Sequence, residues 1–100
     1  MTRQDMKKQP KPSAAEIIET LHAAREACIR YEKKYNILTE EFYDLYSQGL
    51  LDDDDLNFDF VDWAGSHKTA LECQRELHKC FKQSTPAEKV AKLKSHAVVA

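Results

Sequence analysis

Apolar residues recur along this chain at spacings of three and four, in two long runs separated by a shorter one. The first run is Ile17, Leu21, Ala24, Cys28, Tyr31 and Tyr35. It forms an apolar seam of about three heptads. Ser13 precedes it and Glu16 follows three residues later, the pattern of a capping box. No Gly or Pro interrupts, so the spacing predicts a helix from about residue 14 to about residue 35, ~33 Å long at 1.5 Å per residue. Glu19, Arg25, Glu26, Arg30, Lys33 and Lys34 lie elsewhere around it. Glu26 and Arg30, four apart, are in the favourable order for an ion pair.

Asn36-Ile37-Leu38 reads as a short turn, and Thr39 as the cap of a second helix carrying Phe42, Leu45 and Tyr46 on one face. Leu38 and Tyr43 have the spacing of a hydrophobic staple. Gly49 stops this helix by accepting the left-handed conformation, with Leu50 folding back on Leu45 or Tyr46. Asp52, Asp53, Asp54 and Asp55 follow in a row. Four adjacent carboxylates repel, which places them in an exposed stretch or at the start of the next helix, where the dipole favours them. With Asn57 or Asp55 as cap, the third helix runs from about 58 to about 82. Its seam is Trp63, Ala70, Cys73, Leu77 and Cys80, widened by Phe60, Ala64, Leu71 and Phe81. Gly65 inside it marks a close approach or a bend, at a cost of roughly 1 kcal/mol relative to Ala. Thr85, Pro86 and Glu88 start a last short helix with Val90 and Leu93 on one face and Lys89, Lys92 and Lys94 around it. Residues after about Ser95 are expected to fray.

These elements predict an all-α fold: a long antiparallel helical hairpin with a short helix at the bend and a short C-terminal helix. The organisation is a disordered basic arm over 1–12, a helical domain over 13–83, and a basic helix with a frayed tail over 84–100. A two-helix seam in so short a chain is thin, so the core is expected to be completed by association.

Composition narrows the classes. One hundred residues allow one small domain at most, and with only two Gly and three Pro an all-β sandwich lacks its turns. Net charge is −2 with 32% charged residues of mixed sign, so no globally basic nucleic-acid binder is indicated. No apolar run approaches the ~20 residues of a membrane span, and residues 1–12 lack the apolar stretch of a secretory signal. Three widely spaced Cys read as reduced, core-packed thiols in a cytoplasmic protein.

Candidate chemistry is weighed against these classes. A calcium loop starting at Asp53 puts Phe58 where Gly is needed and Ala64 where a bidentate Glu is needed; starting at Asp55 puts Phe60 and Ser66 there. His78 with Cys80, and Cys73 with Cys80, lack zinc spacing. His67 falls on the inner side of the third helix and reads as a satisfied or partly exposed histidine. There is no phosphate loop or nucleophile elbow, so neither an enzyme nor a cofactor is expected. The basic arm and the last helix leave nucleic-acid binding as a weak alternative, because no aromatic residues alternate with their charges.

What remains is an acidic-aromatic segment: Asp52, Asp53, Asp54, Asp55, Phe58, Asp59, Phe60, Val61, Asp62 and Trp63. Phe58 and Val61 cannot both point the same way as Trp63, which leaves apolar surface open. Thr39-Glu40-Glu41-Phe42-Tyr43, then Tyr46 and Gly49, the four Asp, and Phe60-Val61-Asp62-Trp63-Ala64 resemble a pattern in small bacterial helical proteins that are antitoxin components of toxin–antitoxin pairs. The resemblance spans about residues 37–77. It implies a non-enzymatic interaction protein that masks a basic, nucleic-acid-facing toxin surface through Asp52–Asp55, Phe58, Asp59, Asp62 and Trp63. It transfers no catalytic residue. The alternative expectation is a homodimeric helical scaffold.

Overall fold

The computed structural model describes residues 11–51 and 57–97, and the four-Asp run lies outside them. Four helices follow one another: α1 (Ala14–Tyr35), α2 (Thr39–Ser47), α3 (Phe58–Lys82) and α4 (Pro86–Ala97). No strand occurs among the described residues.

Local chemistry sets most of the boundaries. The Ser13 hydroxyl accepts from the Glu16 N–H at 3.2 Å, and the Glu16 carboxylate accepts from the Ser13 N–H at 2.8 Å. This reciprocal pair satisfies two of the free donors at the start of α1. Asn36, at φ 60°, ends α1 in the left-handed region, with its N–H donating to the Glu32 carbonyl at 2.7 Å. Asn is one of the few residues besides Gly that adopts this conformation readily. Asn57 caps α3 by accepting from the Asp59 and Phe60 N–H groups. Thr85 and Glu88 repeat the capping box at α4. At the end of α2, the Leu50 N–H reaches the Leu45 carbonyl and the Gly49 N–H reaches that of Tyr46, both at 3.1 Å. With Gly49 at φ 75°, this is a Schellman stop.

Five local expectations shift. Thr39 is the first residue of α2, not its cap; Leu38 holds the cap position without a side-chain bond. The staple moves back one residue with it: Ile37 packs on the cluster that contains Phe42, while Leu38 is 57% exposed. Leu50 is exposed and Leu51 makes the apolar contact instead. Glu26 and Arg30 form no ion pair. Gly65 also permits no close approach, since a Cβ there would meet open space.

The core has two parts. Near the start of α1 and the end of α3, Leu21, Ala24, Ala70 and Leu77 are buried together, with Ile17, Ile18 and Cys73 packed on them. Near the end of α1 and the start of α3, Cys28, Phe42, Trp63 and Ala64 are buried, with Tyr31, Tyr35, Ile37, Tyr43, Tyr46, Leu51 and Phe60 around them. α1 packs on α3 along its length, and α2 packs on both at the second cluster. α4 buries no residue and packs on no other described helix.

Candidate functional site

Trp63 organises the region where the acidic-aromatic segment meets the core. Its indole is completely enclosed. The Phe42 ring lies parallel to it at 3.9 Å between centroids, and Tyr31 and Tyr35 stack on it at 5.6 and 5.7 Å. An enclosed indole N–H needs an acceptor, because a buried donor left unpaired costs ~1–3 kcal/mol. Thr39 supplies it: the Trp63 Nε1–H donates to the Thr39 hydroxyl at 2.9 Å. The hydroxyl in turn donates to the Glu32 carboxylate at 2.7 Å, which also accepts from the Thr39 N–H at 2.8 Å. One carboxylate from the last turn of α1 thus takes over the capping of α2 and fixes the acceptor for Trp63. The spacing of residues along the chain carries no sign of this, because the contact joins positions 24 apart.

Trp63 was read both as a seam residue and as one that touches a partner; in the single chain it has no accessible surface and packs as a core residue. Phe60 is half-buried against Tyr35 and Phe42. Phe58 is the opposite case. It is 74% exposed, and Val61, one turn on, is 45% exposed. The two form a short apolar ridge at the start of α3.

The described carboxylates of this segment face α1. Asp59 accepts from Lys34 Nζ and from the Tyr35 hydroxyl, both at 2.6 Å. These bonds hold its carboxyl below the usual aspartate range, and they raise Lys34. Asp62 accepts from the Tyr31 hydroxyl at 2.7 Å, which raises Tyr31. Both Asp are therefore clasps between α1 and α3 as well as surface charges. The signal for them was in the sequence: Tyr31 with Lys34 and Tyr35 is spaced on one face of α1 as Asp59 and Asp62 are on one face of α3.

Several grooves lie between α1 and α3, and two of them are lined by thiols. One, of about 350 Å³, lies beside α2, and its walls include Cys28, Glu32, Thr39 and His67, with Ile29, Leu38 and Leu71 as its exposed apolar part. A thiol and an imidazole in one groove suggest nucleophilic chemistry. Burial, however, pushes the Cys28 thiol up, against the opposing effect of its bond to Thr39. The His67 ring packs on Tyr43 at 4.8 Å. A thiol raised by burial is a poor nucleophile, so this geometry favours packing. The second groove, of about 570 Å³, has Ile17, Thr20, Cys73 and Cys80 along it and Glu16, Glu72 and Glu76 among its charged residues. Cys80, expected in the core, is exposed there.

Among the described residues, no three His, Cys, Asp or Glu side chains converge as a metal site requires, and no helix is long and apolar enough to cross a membrane. No protein-family model, curated protein or solved structure matches this chain.

Proposed function

We propose that this chain is a non-enzymatic protein–protein interaction module. In this reading α1 and α3 are the antiparallel arms of a helical hairpin, and α2 closes its bend. The Phe58–Val61 ridge, beside Asp59 and Asp62 and preceded in the sequence by Asp52–Asp55, meets a partner with a basic surface. The specific form of the proposal is the masking of a toxin-like protein's positive, nucleic-acid-facing surface.

The observation that carries the reading is Phe58, 74% exposed on the first turn of a helix whose next turns are held by the enclosed Trp63. A large apolar side chain presented on an ordered helix loses little conformational freedom on binding, which is the property of an interface hot spot. The surrounding carboxylates would act mainly on the association rate and its salt dependence. The clasps support this, since Lys34 and the two tyrosines keep Asp59 and Asp62 fixed beside the ridge.

Two variants test the proposal: Phe58→Ala with Val61→Ala, and Asp52 to Asp55→Asn. Capture of the partner from a host extract is measured at low and high salt. The apolar variant is expected to lose affinity by at least about 30-fold at both salts, from ~2 kcal/mol at a hot spot. The Asn variant is expected to lose salt sensitivity with a smaller change in affinity. Equal capture by native chain and both variants would overturn the proposal.

A further inference from the structure

Among the described residues, the C-terminal helix packs on no other helix. α4 has twelve residues. Isolated helices of this length are marginal in water, so α4 needs a surface for its apolar side. Val90 is 47% exposed and Leu93 70% exposed. With Ala97 they form one stripe by their spacing of three and four. At about 100° per residue, Lys89 and Lys94 fall on the two borders of that stripe, and Lys92 falls on the back.

The groove along Ile17, Thr20, Cys73 and Cys80 matches α4 in length and carries charge of the opposite sign. Its apolar surface is bordered by Glu16 from α1 and by Glu72 and Glu76 from α3. Two cations also line it, Lys11 and Lys79, and Lys79 approaches Glu76 at 3.7 Å. Along α3 the groove extends from position 72 to position 83, ~17 Å at 1.5 Å per residue, and a helix the length of α4 spans ~18 Å.

We propose that two copies of this chain associate by exchanging α4, so that α4 of each copy lies in the Ile17–Cys73–Cys80 groove of the other. The connection between α3 and α4 decides for a second copy over the chain's own helix. Gln83 and Ser84 continue the end of α3 with bonds to the Cys80 and Phe81 carbonyls, and Thr85 then caps α4 through its box with Glu88. In the conformation these bonds close, α4 packs on no described helix of its own chain, and entering its own groove would require the Gln83 and Ser84 bonds to break. A helix from a second copy enters with both chains unchanged, and the exchange closes on a two-fold axis. Lys89 and Lys94 then face the carboxylates of the groove. The Phe58–Val61 ridge takes no part, so this association and the partner surface above stand or fall separately.

The test uses the full chain. Sedimentation of the native protein is expected to give twice the 11.5 kDa chain mass, falling to one chain on dilution. Leu93→Asp, at an exposed position, is expected to keep its helical circular dichroism and to weaken association by at least about tenfold. Glu72→Lys with Glu76→Lys, and Lys89→Glu with Lys94→Glu, are each expected to weaken it, and mixing the two variants to restore it. In Leu93→Cys, mild oxidation is expected to link two chains through Cys73 or Cys80. A companion variant carrying Cys73→Ser and Cys80→Ser removes the link. The proposal is overturned by a native chain that is monomeric at every concentration, or by a dimer indifferent to Leu93→Asp. A Leu93→Cys link formed within one chain, or one that survives the two Ser substitutions, overturns it as well.

Discussion

The two ends of the α1–α3 pair share the same helices and are closed by different means. Where α1 ends and α3 begins, α2 lies across both, and six aromatic residues surround one buried core, with Trp63 at 0% exposure. At the other end Leu21, Ala24, Ala70 and Leu77 meet with no third described helix over them. Two helices alone give each side chain a floor and one wall. A third element supplies the lid that lets a large ring disappear from water. The aromatic end is therefore complete within the chain, while the aliphatic end keeps an open groove beside it.

This contrast predicts unequal costs for truncating the two clusters. Trp63→Ala is expected to destabilise the chain by about 3–5 kcal/mol, because the enclosed site leaves a cavity that its stacked neighbours cannot fill. Leu77→Ala at the open end is expected to cost about 2 kcal/mol, near the low end for Leu, since the neighbouring groove lets the site relax. Urea unfolding measures both. Equal losses would erase the distinction between the ends.

Thr39→Val comes next, at about 1–3 kcal/mol. It keeps the shape and removes the acceptor of the Trp63 indole and one donor to Glu32. Near-ultraviolet circular dichroism of the single tryptophan is expected to change together with the unfolding midpoint. A midpoint within error of the native chain would show that the Glu32–Thr39–Trp63 relay is incidental.

Gly65→Ala sharpens the comparison in the opposite direction. The position is inside α3, exposed, and open where a Cβ would stand. The substitution is expected to raise stability by about 0.5–1 kcal/mol through helix propensity alone. A loss of stability would reveal a bend or contact at Gly65 that the geometry does not contain.

The smallest effect is the pH dependence of the clasps, which are exposed and screened. Asp59 is held below the usual aspartate range by Lys34 and then Tyr35. Its contribution is therefore present above that range and lost as pH falls below about 4. Tyr31 is raised by its bond to Asp62, and Lys34 by its bond to Asp59. Their contributions are present below their ordinary values and lost as pH rises beyond about 10. Thermal midpoints across pH are expected to decline on both sides. Asp59→Asn should flatten the acid side relative to the native chain.

How much of this was legible in the sequence follows the range of each interaction. The caps Ser13 with Glu16, Asn57, and Thr85 with Glu88 act over three residues, so spacing alone placed α1, α3 and α4 closely. The same local logic misassigned Thr39, which looks like a cap and is instead held by Glu32 and bound to Trp63. Pattern along α3 put both Trp63 and Phe58 in one acidic-aromatic surface. Only the placement of α2 separates them, one enclosed and the other open. Cys80 continues the seam by its spacing, yet it is exposed beside the open groove. Periodicity reports which side of a helix is apolar, whereas burial depends on what lies over that side.

Because the chain has one tryptophan, its fluorescence reads the central claim without any label. At a dilution where sedimentation finds a single chain, Trp63 emission is expected to be blue-shifted and resistant to acrylamide. It should become red and fully quenchable only on unfolding. A red, readily quenched emission from the folded single chain would contradict the claim that α2 closes the aromatic end without help from a partner.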